Sequence, residues 1–178
     1  MDMLVPRSSD GLPVAQRKSA AVGVAGAMIK DGMVLLVHWF PASRINPDVC
    51  DLFGGHVDPG EHPANALRRE AREELGIEVH KFRLLGSVYI ATGPVVVHVY
   101  EVSCWNGRPV NAAPGEHVEV RWFGSGDLPL RQAWSIYGDL VLEAVDRSAR
   151  QRGRRSSATE SSPHQDIEVD RRPFLQEA

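Results

Sequence analysis

The chain has 178 residues, of which 43% are hydrophobic and 24% are charged, a composition that suits one globular domain with its own core. Its formal net charge of −3 gives no overall attraction to nucleic acid or to an anionic membrane, so an anionic ligand needs a local site. Only two cysteines occur, Cys50 and Cys104, and neither a leader pattern nor an apolar run of about 18 residues is found. We therefore expect a cytoplasmic protein with reduced thiols and without a nucleic-acid or membrane partner.

The two ends of the chain differ from its middle. Residues 1–19 mix proline, glycine, serine and charge without apolar periodicity, and residues from about 147 to 178 are similar, with an arginine-rich run followed by the polar segment SSATESSPHQD. Segments of this composition bury too little apolar surface to fold. We predict disordered tails at 1–19 and 148–178 on either side of one domain at 20–147.

The domain begins with a predicted β-hairpin. Two apolar, β-branched runs at 20–30 and 33–40 are separated by Asp31-Gly32, a pair that accepts the positive φ angles of a tight turn. A polar loop and the glycine pair Gly54-Gly55 come next.

A helix is predicted from Pro63 to about Leu75, because proline suits the first helical position and Gly76 supplies a stop. Strand-like runs resume at about 82–91, 94–103 and 117–123, and an amphipathic helix is predicted from about 134 to 149. This order of elements predicts an α+β fold, an α/β/α sandwich around a mixed β-sheet.

Three acids, Glu70, Glu73 and Glu74, lie within a span of about 100° on an ideal wheel of the predicted central helix, beside its apolar stripe. Two carboxylates ~5 Å apart repel by roughly 3 kcal/mol at an effective dielectric constant of 20, so the cluster favours a bound cation. Carboxylate oxygens completed by water suit Mg²⁺ or Mn²⁺. A solvated helix face with ion pairs, in which Arg69 pairs with Glu73, is the alternative interpretation.

The segment from Gly55 to Ile77, GHVDPGEHPANALRREAREELGI, resembles the signature of the Nudix hydrolases position by position. That signature is a glycine, five residues, a glutamate, seven residues, Arg-Glu, a small or aliphatic residue, any residue, Glu-Glu, any residue, a glycine and an aliphatic residue. A chance match is on the order of 10⁻⁹ per starting point. The predicted elements also resemble the Nudix fold over about 20–147.

The resemblance implies a metal-dependent hydrolase of a nucleoside diphosphate linked to another group. Glu70, Glu73 and Glu74 are implied to bind the cation, Mg²⁺ or Mn²⁺, with the carbonyl of Gly55 completing the shell. Glu70 is also implied as the base that deprotonates water. Glu61 and Arg69 resemble the pair that locks the preceding loop to the helix, so Arg69 would orient the acids.

Outside this segment the sequence leaves several roles open. Glu116 and Glu119 lie where family members often offer a further acid, and ordinary exposed acids are the alternative. His56 and Arg44 could contact phosphate or be surface residues without a role. Four aromatic residues are either core residues or platforms for a base: Trp39, Phe40, Phe53 and Trp134.

Three functions follow from the resemblance. The first is a MutT-like pyrophosphohydrolase of nucleoside or deoxynucleoside triphosphates, including oxidised purine ones, acting as a monomer or a homodimer on a small-molecule nucleotide. The second is an ADP-ribose or nucleotide-sugar pyrophosphatase, which Gly93-Pro94 favours by its distance after the signature. The third is a sensor that binds a nucleotide without cleaving it, although such domains commonly lose signature acids that this chain retains.

Overall fold

The computed structural model describes residues 20–42, 48–90, 94–129 and 134–156. The predicted N-terminal tail, Arg44, and residues 157–178 of the predicted C-terminal tail lie outside the described residues. In chain order the strands are β1 (Ala21–Lys30), β2 (Met33–Trp39), β3 (Cys50–Asp51), β4 (Phe53–His56), β5 (Glu78–Ile90), β6 (Val95–Asn106) and β7 (His117–Gly124), and the helices are α1 (Pro63–Leu75) and α2 (Trp134–Ser156).

The strands form one sheet in the order β3-β2-β1-β6-β5, with β4 paired to β1 and β7 paired to β2. β1 and β6 are parallel and the other pairs are antiparallel, so the sheet is mixed as predicted. The turn between β1 and β2 has φ angles of 54° at Asp31 and 78° at Gly32, as the hairpin prediction requires. β1 therefore pairs with β2 at its C-terminal end and with β4 at its N-terminal half, which places the glycine pair of β4 beside the middle of the sheet.

The core has two parts, one on each face of the sheet. Helix α1 covers one face, where Leu67, Ala71 and Leu75 are fully buried against Met28 and Phe53. Helix α2 covers the other face, where its buried residues pack on alternate residues of the same strands: Tyr137, Val141, Ala144 and Val145 on Ala25, Ala27, Val34 and Leu36. This arrangement is the predicted α/β/α sandwich.

Helix α1 begins and ends where the sequence predicts. His62 caps its N-terminus by accepting a hydrogen bond from Ala64 N at 3.2 Å, and Pro63 occupies the first turn. Gly76 ends the helix with a φ of 65°, a left-handed conformation that glycine adopts without strain. These caps fix which residues of α1 face the sheet.

Three boundaries differ from the predictions. The short strands β3 and β4 are absent from the predicted elements, because β4 holds two glycines and neither strand shows alternation. β5 begins at Glu78 rather than near 82. Its start is not evident from the sequence, because its first residues are mostly exposed and only Val79 among them is buried.

The third difference concerns α2, which continues to Ser156 instead of ending near Ala149. Residues 148–156 are therefore helical in the structure. The extension is held to the hairpin, because Arg152 Nη1 donates to the carbonyl of Asp31 at 3.4 Å, and proline does not occur between 134 and 156.

Cys50 and Cys104 are both free thiols, as expected. Among the described helices, none has the length and apolar character that a membrane crossing requires.

Candidate active site

Two acids of α1 lie on its sheet-facing side. Glu70 and Glu74 are one helical turn apart and are 9% and 3% exposed. A Cβ built on Gly55 would come within 2.3 Å of Glu70 Oε1, so only glycine at this position lets the carboxylate lie on β4. The backbone N–H of Gly54 donates to Glu74 Oε1 at 3.0 Å. The glycine pair thus makes the space and supplies one donor for the two carboxylates.

Burial determines the protonation of both acids. Desolvation and the negative charges of Glu70 and Glu116 together raise the pKa of Glu74 to about 9, against the opposing hydrogen bond from Gly54. Desolvation also raises the pKa of Glu70, although the hydrogen bond and the charge of Arg69 oppose that shift. A cation beside the pair would favour the ionised form of each acid and relieve their repulsion.

Arg69 is the cation that touches this cluster in the structure. Its Nε and Nη2 donate to the two oxygens of Glu61 at 3.2 and 3.1 Å, and its Nη2 also donates to the carbonyl of His56 at 2.9 Å. Its Nη1 donates to Glu70 Oε1 at 2.7 Å and to Glu73 Oε2 at 3.1 Å. The hydrogen bonds from Arg69 hold the pKa of Glu61 below its ordinary value. Arg69 therefore joins the loop before α1 to two acids of the helix, which is the contact that the proposed clamp requires.

The donor set fits a hard divalent cation. Glu70 and Glu74 offer carboxylate oxygens in a buried position, and Glu74 Oε2 has no hydrogen-bond partner within the described part of the chain. Among the described residues, no three Asp, Glu, His or Cys side chains converge closely enough to hold a metal ion as they stand. The Glu73 side chain is 58% exposed and pairs with Arg69 Nη1 at 3.1 Å.

The possible further acids lie on different faces of the sheet. Glu116 precedes β7, and its negative charge raises the pKa of Glu74, so it stands near the acid pair. Glu119 instead acts on Cys50, whose pKa is raised to about 12 by burial and then by the charge of Glu119. Cys50 belongs to the core under α2. The structure thus brings Glu116, and not Glu119, towards Glu70 and Glu74.

The remaining residues from the sequence analysis are scattered around this cluster. The Gly55 carbonyl oxygen lies against β1, since a Cβ on Gly23 would come within 3.3 Å of it, and its role as a metal ligand stays a prediction. The side chain of His56 is exposed, and its role as a phosphate contact also stays a prediction.

A cavity of about 250 Å³ opens beside Glu116 and is lined by Trp39, Phe40, Ala42 and Gly115 as well. Trp39 is half-buried and Phe40 is 38% exposed, so both have a surface at this cavity. Phe53 is fully buried against Gly26 and is a core residue, while the side chain of Trp134 lies outside the described part of the chain.

A further side chain at the site, not predicted from the sequence, is His117, which is 1% exposed at the start of β7. Its Nε2 lies 3.4 Å from Glu74 Oε2, and neither of its ring nitrogens has a hydrogen-bond partner among the described residues. Burial lowers the pKa of His117 to about 4, so the ring is neutral near pH 7. An unpartnered buried polar group costs roughly 1–3 kcal/mol. No spacing in the sequence marks this residue, because its contact with α1 depends on the tertiary fold.

Several proteins of known name are similar to this chain in sequence. A family model described as the NUDIX domain matches residues 17–143. An oxidized purine nucleoside triphosphate hydrolase of Danio rerio is 30% identical over 87 residues, which cover 47% of this chain and 54% of that protein. An ADP-ribose pyrophosphatase of Haemophilus influenzae is 28% identical over 123 residues, which cover 61% of this chain and 57% of that protein. The chain thus spans little more than half the length of these two curated relatives.

A solved structure is similar to this chain over most of its own length. The crystal structure of a MutT NUDIX hydrolase from Burkholderia pseudomallei is 33% identical, with a TM-score of 0.61, and the match covers 69% of this chain and 95% of that chain. The family model spans the sheet, α1 and the acid pair together. This chain belongs to the NUDIX domain family.

Proposed function

We propose that this protein is a divalent-metal-dependent hydrolase that cleaves a phosphoanhydride bond in a nucleoside diphosphate-linked substrate. The observation that carries the proposal is the pair Glu70 and Glu74, buried side by side over the glycines of β4. Acids with raised pKa values that lie in contact with one another are costly for the fold, and a divalent cation offsets that cost. Perturbed acids of this kind are typical of functional sites.

Glu70 and Glu74 would hold Mg²⁺ or Mn²⁺, with Glu73 and the Gly55 carbonyl as further ligands and Glu116 as the nearest additional acid. A bound divalent cation supplies charge neutralisation at phosphate oxygens and makes water more acidic. Oxygen ligands from carboxylates are the set that these two ions prefer.

The side chains of α1 have separate tasks in this proposal. Glu70 accepts the proton of the attacking water, because burial raises its pKa and a carboxylate with a raised pKa is a stronger base. Arg69 holds Glu70 and Glu73 in place through Nη1 while its other nitrogens are fixed by Glu61. Water attacks phosphorus, the bridging P–O bond breaks, and the leaving group departs with the bridging oxygen.

The substrate that we propose is a nucleoside or deoxynucleoside triphosphate, including an oxidised purine one, which would yield a monophosphate and pyrophosphate. The name of the Danio rerio relative supports this choice. The Haemophilus influenzae relative supports an ADP-ribose pyrophosphatase as the second candidate at a similar identity. The aromatic cavity beside Glu116 offers a surface for a base in either case.

The test is a substrate panel with Mg²⁺ and with Mn²⁺: ordinary and oxidised nucleoside triphosphates, ADP-ribose and a diadenosine polyphosphate. Released pyrophosphate, phosphate and monophosphate would be measured separately by chromatography. Pyrophosphate from triphosphates is the expected result, and cleavage confined to ADP-ribose would replace the first candidate with the second.

Glu70→Gln serves as the inactive control, because it keeps the shape of the side chain and removes the proposed base. Glu78→Gln is the matched control, since Glu78 is an exposed acid that pairs with Arg72 on the outer side of α1. Tight nucleotide binding without turnover on any substrate would contradict the hydrolase proposal and favour a sensor.

A further inference from the structure

His117 is a buried polar side chain that the proposed chemistry does not use. Its side chain is 0% exposed, and both ring nitrogens lack a hydrogen-bond partner in the described part of the chain. An apolar residue of similar volume would fill the same space without burying two polar atoms. The position of the imidazole therefore calls for a partner that its nitrogens can reach.

Glu74 Oε2 is the polar atom that Nε2 approaches, at 3.4 Å. This oxygen also has no hydrogen-bond partner among the described residues, whereas Glu74 Oε1 accepts from Gly54 N. A donor at Nε2 would thus hold the second oxygen of a carboxylate whose first oxygen is already held. With both oxygens held, the plane of the carboxylate is fixed relative to Glu70.

The imidazole is itself kept in place by its surroundings. Trp39 packs against the His117 ring in an edge-to-face contact with centroids 4.8 Å apart. The carbonyl of His117 accepts from Asn111 Nδ2 at 2.8 Å, and its N–H donates to the carbonyl of Ala113 at 3.1 Å. Between these residues Ala112 N donates to the carbonyl of Glu74 at 2.9 Å. One short loop therefore ties the backbones of Glu74 and His117 together.

We propose that His117 is a positioning residue for the metal site: Nε2–H donates to Glu74 Oε2 and orients that carboxylate towards the cation. This inference rests on the metal site of the proposed function and adds a residue outside α1 and β4 to it. A neutral imidazole carries one N–H, and the ε tautomer places it at Glu74. Residues that orient a ligand in this way typically raise metal affinity 10–100-fold.

Two substitutions of His117 test the proposal, because they introduce the same amide group on side chains of different length. In His117→Gln the amide nitrogen can take the place of Nε2, and in His117→Asn it reaches only the place of Nδ1. Mn²⁺ binding to the full chain without substrate would be measured from the electron paramagnetic resonance signal of the free ion. We expect the dissociation constant to rise about 10-fold or more for His117→Asn and less than about 3-fold for His117→Gln.

Tyr137→Phe is the control, because it removes a buried polar group on the opposite face of the sheet. It should lower the thermal midpoint without changing Mn²⁺ affinity. Equal Mn²⁺ affinity of His117→Asn, His117→Gln and the unmodified protein would overturn the role of His117 alone. Equal losses in both variants would also overturn it, since they indicate a packing role. An unmodified protein that binds no Mn²⁺ would overturn the metal site and this inference together, whatever the substrate panel shows.

Discussion

Each face of the sheet buries an acid beside a helix, but the two acids differ in their partners. Under α2, Asp51 Oδ1 accepts from Leu52 N at 2.7 Å and from the hydroxyl of Tyr137. Under α1, Glu74 Oε1 accepts from Gly54 N, Glu74 Oε2 has no hydrogen-bond partner among the described residues and lies 3.4 Å from His117 Nε2, and Glu70 shares Arg69 with two other acids. The acid with two donors ties helix to sheet, while Glu74 Oε2 has two lone pairs and can accept from His117 and also bind a cation. Burial alone does not separate these roles, because the pKa values of Asp51 and Glu74 are both raised by desolvation.

The largest effect should come from Glu74→Gln. We expect activity to fall about 10³-fold, or ~4 kcal/mol in activation free energy, because an amide cannot replace a carboxylate ligand. The thermal midpoint should hold or rise, since the substitution removes a buried acid whose charge is unfavourable. Steady-state kinetics and thermal melting, each with and without Mg²⁺, measure the two quantities. A thermal midpoint lowered as much as by a large-to-small substitution in the core would instead show that Glu74 stabilises the fold.

Asp51→Asn should change the pH dependence of stability. Burial raises the pKa of Asp51 from 3.8 to about 6, so the folded state binds this proton more tightly than the unfolded state does. Its contribution to stability is fully present below about pH 4 and is lost as the pH rises through about 6.

Relative to the unmodified protein, Asp51→Asn should therefore gain roughly 2 kcal/mol in free energy of unfolding between pH 4 and pH 8. Urea denaturation across this range measures the shift. A difference that does not vary with pH would contradict the raised pKa.

Tyr137→Phe should lower the free energy of unfolding by about 1–3 kcal/mol, because the buried Asp51 carboxyl loses its hydroxyl donor. Activity and metal dependence should stay within about 2-fold of the unmodified protein. Urea denaturation and kinetics on the same preparation make this comparison. Lost metal dependence would break the separation of the two faces.

The smallest effect should separate Glu116 from Glu119. Glu116→Gln should lower activity at limiting Mg²⁺ by about 10-fold, or ~1.4 kcal/mol, since Glu116 stands within electrostatic reach of Glu74. Glu119→Gln should change it by less than about 2-fold, because Glu119 acts on Cys50 at the other face. Activity titrated against Mg²⁺ concentration distinguishes the two. The reverse order would place the further acid at Glu119.

Local signals in the sequence were sufficient for much of this fold. Asp31-Gly32 predicts the hairpin turn, and Pro63 with Gly76 predicts the bounds of α1, because a turn or a cap depends on a few neighbouring residues. The helical wheel also places Glu70 and Glu74 beside the apolar stripe. The end of α2 was not predictable in the same way, because the contact of Arg152 with the distant residue Asp31 holds it.

The sequence by itself determined the acids, their helix and the family signature, since these depend on spacing along one segment. Only the tertiary structure decided which groups meet that helix. β7 brings His117 to Glu74, β4 brings glycines beneath Glu70, and Glu119 falls on the far face although it is only three residues from Glu116. Such contacts join residues that are far apart in the chain. They depend on strand register, because a shift of one residue moves every side chain of a strand to the other face of the sheet.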